Sequence, residues 1–247
     1  MKKELVSEWG SIYREGNKAL KIFPSAQRKR VAETARLQAL ARAAGLPVPA
    51  AYGIRRVGMT KIALVMDYID SKPFNDTKGA IQEMARLHSR IGLVDASGLR
   101  EFSALIAGEI AKSPYIAEPV KEALLSLLRG LDTGCGPGTG KTGLCHGDMH
   151  PGNFLYDGEK YWLIDWSPSR GDPAADACNT YLYQLRFMPD YAEIYLRTYC
   201  EAAKIPREAV LAWLPVIAGY QVNIKTEEER VFILGIINEW VETEKQP

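Results

Sequence analysis

The sequence lacks an excess of charge of either sign, and it lacks any long apolar run. Its 247 residues include 31 Lys and Arg against 30 Asp and Glu, which gives a formal net charge of +1. A balanced charge offers no reason to expect nucleic acid or an anionic membrane as a partner. No apolar run approaches the length that spans a bilayer, and no apolar segment of a signal peptide follows Met1-Lys2-Lys3-Glu4. We therefore expect a cytoplasmic protein without a nucleic-acid or membrane partner.

Cysteine is scarce as well. The four cysteines are widely separated and form no C-x-x-C pair, at positions Cys135, Cys145, Cys178 and Cys200. This spacing argues against a zinc ribbon and against a redox motif, and we expect reduced thiols. Hydrophobic residues at 47% and charged residues at 25% are ordinary for a globular protein. A chain of this length can form one large domain or two lobes whose core needs no disulfide.

The segment HGDMHPGN places Asp148 and Asn153 five residues apart. Its glycines and proline disfavour a regular helix and favour a tight loop that can aim side chains in one direction. Asp165 follows Asn153 by twelve residues, at the end of the apolar run 161–164, which is typical of a short buried strand. The Asp-Gly dipeptide at 157–158 predicts a hairpin turn between them. We expect this hairpin to bring Asp148, Asn153 and Asp165 close together.

Two carboxylates and an amide suit magnesium-dependent phosphoryl transfer. Mg2+ prefers oxygen ligands and is usually held by one or two carboxylates together with substrate phosphates and water. Asn153 and one aspartate fit that role, which leaves the other aspartate to orient an incoming hydroxyl and accept its proton. Taken singly, each of these residues is better explained by an ordinary loop and hairpin. The prediction depends on their joint pattern.

HGDMHPGN, followed by LIDW and then GDPAAD, resembles the signature of the aminoglycoside phosphotransferase and choline kinase-like family, a small-molecule branch of the protein kinase-like fold. The resemblance implies that Asp148 is the catalytic residue and that Asn153 and Asp165 bind Mg2+. It also implies that further residues of the motif brace the loop, namely His146, His150, Asp172 and Asp176. ATP is the implied phosphate donor, with GTP as the alternative, and the implied partner is a small molecule that carries a hydroxyl group.

Lys21 lies in the middle of the apolar segment Ala19-Leu20-Lys21-Ile22-Phe23, where a lysine is costly unless its ammonium is paired. It resembles the strand lysine of kinases and would then reach the α- and β-phosphates of ATP. The alternative is that its stem packs on the sheet edge while the charge reaches water.

Glu33 lies on a helix predicted over about Ala26 to Ala44, with Ser25 as its cap. It resembles the helix glutamate that pairs with the strand lysine in kinases. Positions 34–44 contain no Asp or Glu, so Glu33 is the natural partner of Lys21. An unpaired, solvated Glu33 is the alternative.

Two strands, Ala51 to Val57 and Lys61 to Asp67, are predicted after this helix. The second resembles the last strand of the small lobe in kinase-like folds, which runs into the segment that holds adenine. The resemblance places Met66 beside the adenine, although plain core packing is the alternative for a methionine. It assigns the hydrogen bonds with the adenine edge to the backbone of Asp67, Tyr68 and Ile69.

The fold class that we predict is α+β, with a bilobal protein kinase-like architecture. The N-lobe, residues 1–68, contains a small antiparallel sheet and one helix, with two short strands between Leu5 and Phe23 and a first strand that is abbreviated or missing. The mainly helical C-lobe, residues 69–247, has helical periodicity over 78–89, 102–111, 118–131, 182–187, 191–203, 207–217 and 227–241. His88 resembles a family residue, but a packed and hydrogen-bonded structural histidine is the simpler interpretation.

The segment GCGPGTGKT at 134–142 is similar to a P-loop but fails as one. The pattern G-x-x-x-x-G-K-[ST] requires glycine where Cys135 stands, and a P-loop must join a buried strand to the start of a helix. We interpret the segment as a connector.

Two other functions fit the sequence less well than a small-molecule kinase. A catalytically weak nucleotide-binding sensor on the same fold is the first, because the loop expected over the phosphates has one glycine, Gly10. A protein kinase is the second, and it is disfavoured because the loop is HGD rather than HRD and because D-F-G and A-P-E are absent after Asp165.

Overall fold

A computed structural model describes residues 2–7, 10–133, 138–224 and 226–244. The chain forms two compact units, one made of Met1–Asn75 with Pro151–Trp166 and the other of Asp76–His150 with Ser167–Pro247. These limits differ from the domain limits 1–68 and 69–247 expected from the sequence. The main difference is the segment 151–166, which belongs to the first unit because its backbone hydrogen-bonds there.

The first unit is built on a five-stranded antiparallel sheet with the strand order β1-β2-β3-β5-β4. Its strands are β1 (Lys2–Ser7), β2 (Gly10–Glu15), β3 (Lys18–Pro24), β4 (Ala51–Val57) and β5 (Lys61–Asp67). The two short strands predicted between Leu5 and Phe23 correspond to β2 and β3. The first strand, expected to be abbreviated or missing, is present as β1 and pairs with β2 at the sheet edge. A short, mostly polar strand has no apolar alternation, so only this pairing identifies it.

Helix α1 (Arg28–Ala43) begins after a 3-10 turn at Ser25–Gln27 and packs on one face of the sheet. Its Val31 contacts Ile62 and Leu64 of β5 in a buried cluster. Side chains alternate along a strand, so the neighbouring residues face the other way and form a second cluster of Leu20, Ile22 and Ala63. The predicted Ser25 cap is wrong, because Ser25 opens the 3-10 turn and Gln27 precedes α1.

A short hairpin completes the first unit. It consists of β7 (Phe154–Tyr156) and β8 (Tyr161–Leu163), which follow β6 (Gly143–Cys145) in the chain. The N–H of Lys72 donates to the carbonyl of Tyr156 at 2.6 Å, and the N–H of Leu163 donates to the carbonyl of Pro47 at 2.8 Å. Gly158 has a φ of +106°, which confirms the predicted turn.

The second unit is mainly helical, and its one small sheet pairs β6 (Gly143–Cys145) with β9 (Ser169–Gly171). The helices are α2 (Thr77–Ile91), α3 (Phe102–Lys112), α4 (Glu118–Asp132), α5 (Pro173–Phe187), α6 (Pro189–Ala203), α7 (Arg207–Leu211), α8 (Leu214–Gln221) and α9 (Glu227–Glu244). Within the described ranges, none of the helices has the length and apolar character that crossing a membrane requires.

Two predicted helices of this unit have different limits in the structure. The helix expected over 207–217 is divided into α7 and α8, because the ring of Pro215 would clash with the carbonyl of Leu211, where α7 ends. The helix expected over 182–187 begins earlier, at Pro173. Asp172 caps that start by accepting the N–H of Ala174 at 2.8 Å, and proline is favoured at the first helical position.

Candidate active site

Lys21 is the buried cation of the first unit. It lies in the centre of β3 opposite Leu64, on the face that α1 covers, and only 7% of its surface is exposed. Its ammonium forms an ion pair with the carboxylate of Asp165. The pairing excludes the alternative in which the charge reaches water from the sheet edge, and it meets the requirement that a buried ammonium has a partner.

Asp165 follows β8 in an unusual backbone conformation. Its φ is +60°, and Lys204 is the other non-glycine residue with positive φ in the described part of the chain. A side chain in this left-handed region costs about 1–3 kcal/mol unless the surroundings enforce it, and aspartate tolerates the region better than most residues. The preceding residue is fixed, because Ile164 donates its N–H to the carbonyl of Asn153 at 3.1 Å. Strain of this kind is characteristic of functional positions.

Asn153 ends a 3-10 turn, Pro151–Asn153, and is 7% exposed. Its amide oxygen and the carboxylate of Asp165 are both hard oxygen donors, the chemistry that Mg2+ takes. Among the described residues, no group of three or more His, Cys, Asp or Glu is arranged to hold a metal ion. The donor set therefore fits an ion that takes its remaining ligands from phosphate and water rather than one enclosed by protein.

Glu33 does not pair with Lys21. It lies on the outer part of α1 with a half-exposed side chain, 3.9 Å from Arg36, whereas Lys21 pairs with Asp165. Counting acids along α1 identified Glu33 as the natural partner. The hairpin that follows the loop, far away in the sequence, supplies the carboxylate instead.

Asp67 has its carboxylate occupied within the sheet. It accepts the N–H of Ala50 at 2.9 Å and the hydroxyl of Tyr52 at 2.7 Å, and Lys18 lies 3.2 Å away. Burial raises the pKa of this carboxyl, but the hydrogen bonds from Tyr52, Ala50 and Lys18 outweigh burial and lower the pKa below its ordinary value. Its side chain therefore holds strands together.

Several backbone groups at and after the end of β5 already form hydrogen bonds within the first unit. The N–H of Asp67 donates to the carbonyl of Ala50 and the N–H of Tyr68 donates to the carbonyl of Asn17, both at 3.0 Å. Ser71 donates its N–H to the carbonyl of Ile69, also at 3.0 Å. Met66 packs beside the cluster that contains Val31, Ile62 and Leu64.

In the second unit, one face of α5 holds the loop that carries Asp148. Asp176 accepts the N–H groups of His146 at 2.5 Å and Gly147 at 3.0 Å. Asn179 donates to the carbonyl of Gly147 at 3.3 Å, and Thr180 donates to the carbonyl of Met149 at 2.9 Å. Residues three and four apart share a helix face, so a single helix fixes the loop backbone.

Sequence reasoning identified Asp176 and missed Asn179 and Thr180. A signal was present, because both are polar residues placed three and four positions after Asp176 on a helix of mostly small or apolar residues. Both are buried, at 8% and 1% exposure. Polar groups at such positions need hydrogen-bond partners, and loop carbonyls are the partners here.

His88 forms a buried hydrogen bond with the carboxylate of Asp176. It is 2% exposed and lies with Nε2 at 2.8 Å from Asp176 and Nδ1 at 2.7 Å from the hydroxyl of Tyr195. The structure confirms the interpretation of His88 as a packed, hydrogen-bonded residue. Burial raises the pKa of Asp176, but His88, His146 and the loop N–H groups stabilise the carboxylate more, and the pKa lies below its ordinary value.

Asp148 has a fixed backbone and a half-exposed carboxylate. Its N–H donates to Nδ1 of His146 at 3.3 Å. Its carboxylate lies 3.7 Å from Nε2 of His150. The ring of His150 stacks on Tyr183 with centroids 5.0 Å apart, and Tyr183 contacts Phe187 at 4.7 Å. A row of three rings therefore lies beside the carboxylate.

Asp172 has a different role from the one that the resemblance implied. Apart from capping α5, its carboxylate accepts the N–H and the hydroxyl of Thr139, at 2.9 and 2.7 Å. It therefore holds the connector before β6 rather than the loop of Asp148. Residues Gly134 to Pro137 of that connector, with Cys135, lie outside the described residues, and 138–142 lead into a strand rather than a helix, as a connector should.

Known proteins that are similar to this chain comprise one protein family and several solved structures. The model of the phosphotransferase enzyme family matches residues 11–214. No curated protein sequence matches the chain. Among solved structures, choline kinase LicA from Streptococcus pneumoniae is 18% identical, with a TM-score of 0.68 and with 96% of this chain and 92% of that chain covered.

Two further solved structures contain nucleotide analogues. A thermostable mutant of aminoglycoside phosphotransferase APH(4)-Ia, in a ternary complex with AMP-PNP and hygromycin B, is 17% identical, with a TM-score of 0.66 and 100% and 94% of the two chains covered. Amicoumacin kinase hAmiN, in complex with AMP-PNP, Ca2+ and Ami, is 13% identical, with a TM-score of 0.63 and 98% and 87% covered. These likenesses confirm the predicted α+β, protein kinase-like fold class.

Proposed function

Because this chain belongs to the phosphotransferase enzyme family, we propose that it transfers the γ-phosphate of ATP, with the help of Mg2+, to a hydroxyl group of a small molecule. The observation that carries the proposal is the ion pair between the buried ammonium of Lys21 and the carboxylate of Asp165. A buried lysine that contacts a strained, partly exposed aspartate has little structural purpose on a strand. It suits a site where phosphate and a divalent cation enter between opposite charges.

The first unit supplies the groups for nucleotide and metal. Lys21 would bind phosphate oxygens of ATP, and Asn153 and Asp165 would hold Mg2+. When bound, the ion neutralises charge on the phosphate oxygens during transfer. In the protein alone, the Lys21 ammonium balances the Asp165 carboxylate and keeps both residues in position.

The adenine contact is proposed to use the backbone after β5. The N–H groups of Asp67 and Tyr68 already donate to carbonyls within the first unit, which leaves the N–H of Ile69 as the proposed donor to the adenine edge. Met66, whose side chain packs beside the α1 cluster, would support the base from the sheet.

The second unit supplies the group that acts on the acceptor. Asp148 would orient the acceptor hydroxyl and accept its proton as the phosphate is transferred. Its exposed carboxylate is accessible to a ligand, while its backbone is fixed through His146 and Gly147. A fixed backbone with an accessible carboxylate is the arrangement that positioning catalysis requires.

The ring row beside Asp148 supports a proposal for where the acceptor binds. His150, Tyr183 and Phe187 present aromatic surface next to the carboxylate. The outermost ring, Phe187, is 51% exposed. We place the acceptor against these rings, with its hydroxyl at Asp148.

Turnover of ATP against a panel of aminoglycosides, choline, homoserine and sugars tests the function, and GTP in place of ATP tests the donor. We expect phosphorylated product with at least one acceptor, and loss of product in Asp165→Asn and Asp148→Asn. The exposed Asp190→Asn is the matched control and should keep full turnover. Absence of product with every acceptor, together with ATP hydrolysis that Asp165→Asn leaves unchanged, would contradict the proposal.

A nucleotide-binding sensor is the second candidate, and the unusual loop expected over the phosphates favours it. The segment 6–13, which was expected to supply that loop, contains a single glycine, Gly10, and Gly10 is the first residue of β2. Thermal-shift titration with ATP and Mg2+ separates the two functions. Binding without product would support a sensor, whereas detected product would exclude it.

A further inference from the structure

The peptide group that precedes Asp148 is held at both of its polar atoms. Its carbonyl, that of Gly147, accepts a hydrogen bond from Nδ2 of Asn179 at 3.3 Å. Its N–H, that of Asp148, donates to Nδ1 of His146 at 3.3 Å. Rotation of this peptide plane would turn the Asp148 side chain, so the two bonds together determine where the carboxylate points.

The peptide group before it is fixed in the same way. The N–H of Gly147 donates to Asp176, and the carbonyl of His146 accepts the N–H of Ser167 at 2.9 Å. Gly147 has a φ of +80°, and a Cβ there would lie 2.1 Å from the carbonyl oxygen of Ser167. The loop therefore has no room for a side chain at Gly147. Asn179 donates to the carbonyl of the peptide group that directly precedes Asp148.

The orientation of the Asn179 amide is supported by Gln221. A carboxamide can turn over and exchange its oxygen with its nitrogen, and only one of the two orientations can donate to the Gly147 carbonyl. Gln221, at the end of α8, donates from Nε2 to Oδ1 of Asn179. That bond requires the Asn179 oxygen to face Gln221 and therefore requires its NH2 group to face Gly147.

We call the pair of hydrogen bonds from Gln221 to Asn179 and from Asn179 to the Gly147 carbonyl the relay. Both of its side chains are shielded from water. Asn179 is 8% exposed and Gln221 is 5% exposed. Water therefore has little access to substitute for either amide. If the amide of Asn179 turned over, its oxygen would face the Gly147 carbonyl, and two acceptors would meet without a hydrogen between them.

We propose that Asn179, oriented by Gln221, is a positioning residue for the carboxylate of Asp148. The role rests on the proposed function, since Asp148 would be the group that orients the acceptor hydroxyl. The relay connects α8 to the loop through α5, and it acts on geometry without touching substrate. Misplacement of a reacting group by about 1 Å can cost about 100-fold in rate.

Gln221→Met is the variant that tests the relay most cleanly. It keeps the size of the side chain and removes the donor to Asn179. Oε1 of Gln221 has no hydrogen-bond partner among the described residues, so the substitution also removes an unsatisfied buried acceptor. The melting temperature should therefore change little, while the turnover number falls about 10- to 100-fold at a KM for ATP within about twofold of the original.

Gln184→Met is the matched control. Gln184 lies on α5 and is fully buried, and neither atom of its amide has a hydrogen-bond partner within the described ranges. It is the same substitution in the same unit, and in the described part of the chain its side chain forms no hydrogen bond to the loop. We expect its turnover number to remain within about twofold of the original, since nothing in the relay is altered.

A double-mutant cycle shows whether Gln221 acts through Asn179. Once Asn179→Ala has removed the donor to Gly147, adding Gln221→Met should lower the turnover number no further. Full additivity of the two effects would overturn the proposal. So would a turnover number for Gln221→Met that equals that of Gln184→Met.

Hydrogen–deuterium exchange separates failure of the relay from failure of the proposed function. We expect peptides that contain residues 146–150 to exchange faster in Gln221→Met than in Gln184→Met, whatever the turnover of the unmodified protein. Unmodified protein without turnover, but with this faster exchange, would reject the proposed function and leave the relay as a loop support. Equal exchange in the two variants would reject the relay itself.

Discussion

Replacement of Asp176 by asparagine should destabilise the protein and inactivate it at the same time. The carboxylate of Asp176 accepts two loop N–H groups and lies beside Nε2 of His88, and only 1% of the residue is exposed. Asparagine has the same shape but one acceptor oxygen. In either orientation of the amide, an NH2 group must face a backbone N–H or the His88 ring.

The expected loss follows from these contacts. Loss of one hydrogen bond to a charged group costs about 1.5–3 kcal/mol, and a buried donor left without an acceptor costs about 1–3 kcal/mol. Removing a buried charge recovers some desolvation energy. The pKa of Asp176 is nevertheless lowered despite burial, which means that its partners stabilise the charge by more than burial costs. We therefore expect a decrease of about 3–5 kcal/mol, the range seen when one partner of a buried ionic contact is removed.

Thermal denaturation followed by circular dichroism measures this effect. For a chain of this size, each kcal/mol corresponds to about 2–4 °C, so the melting temperature should fall by about 6–20 °C. Asp190→Asn, an exposed substitution in the first turn of α6, is the control and should lower the melting temperature by no more than about 4 °C, because an acid near a helix N-terminus contributes at most about 1 kcal/mol. A decrease for Asp176→Asn below about 1 kcal/mol would show that the loop is held without this carboxylate.

The pH dependence provides an independent check. Because the pKa of Asp176 is lower in the folded protein, its stabilisation is present above the unfolded pKa of about 3.9 and is lost as the pH falls through the folded value. The difference in melting temperature between the unmodified protein and Asp176→Asn should therefore narrow below about pH 4. A difference that widens in acid would contradict the assigned direction of the shift.

Other substitutions probe neighbouring features. Burial raises the pKa of Asp172 in spite of the bonds from Thr139, so its charge opposes folding above the unfolded pKa of about 3.9. Asp172→Asn removes that charge and can still cap α5, but its NH2 group must then face the N–H of Thr139. These effects oppose each other, so stability should change by less than about 1 kcal/mol in thermal denaturation, and a larger loss would contradict this account. Asp165→Asn should fold with lower stability, because asparagine tolerates positive φ but leaves the buried ammonium of Lys21 without its counter-charge. It should lower the turnover number about 100- to 1000-fold, while Asp165→Ala should lose at least about 1 kcal/mol more in urea unfolding, because alanine tolerates positive φ less well. Gly147→Ala should lower the turnover number even at temperatures where the variant is fully folded, because the added Cβ forces the loop away from the carbonyl of Ser167. An unchanged turnover number would show that the loop tolerates this displacement. Tyr183→Ala should raise the KM for the acceptor and leave the KM for ATP unchanged in steady-state kinetics, and an altered KM for ATP alone would argue against the ring row as the acceptor surface.

The sequence was sufficient to predict strands and turns wherever residues within a short segment restrict its backbone conformation. Strands β4 and β5 have the predicted limits, because alternation and a glycine turn act within a few residues. The turn at Gly158 and the loop at HGDMHPGN follow from residues whose backbone preferences are strong. Helix limits differ from the predicted ones where a proline acts on a residue four positions earlier, as Pro215 does on Leu211.

Partner choice required the tertiary structure. The sequence shows that Lys21 needs a counter-charge, but it does not contain the distance to Asp165, which lies 144 residues away along the chain. Glu33 was the only acid available on the helix and is nevertheless solvated beside Arg36. Coulombic attraction depends on separation in space, and a motif fixes separation only along the chain.

What the sequence alone determined is therefore the chemistry of the site: a loop with an aspartate, an amide, a second aspartate and a lysine in an apolar strand, together with the α+β fold class. What only the tertiary structure decided is how these groups are supported. The lysine pairs with Asp165, and the loop backbone is held by hydrogen bonds to Asp176, Asn179 and Thr180. The physical reason is that strong backbone preferences are local, whereas burial and hydrogen-bond pairing arise only when helices and strands pack.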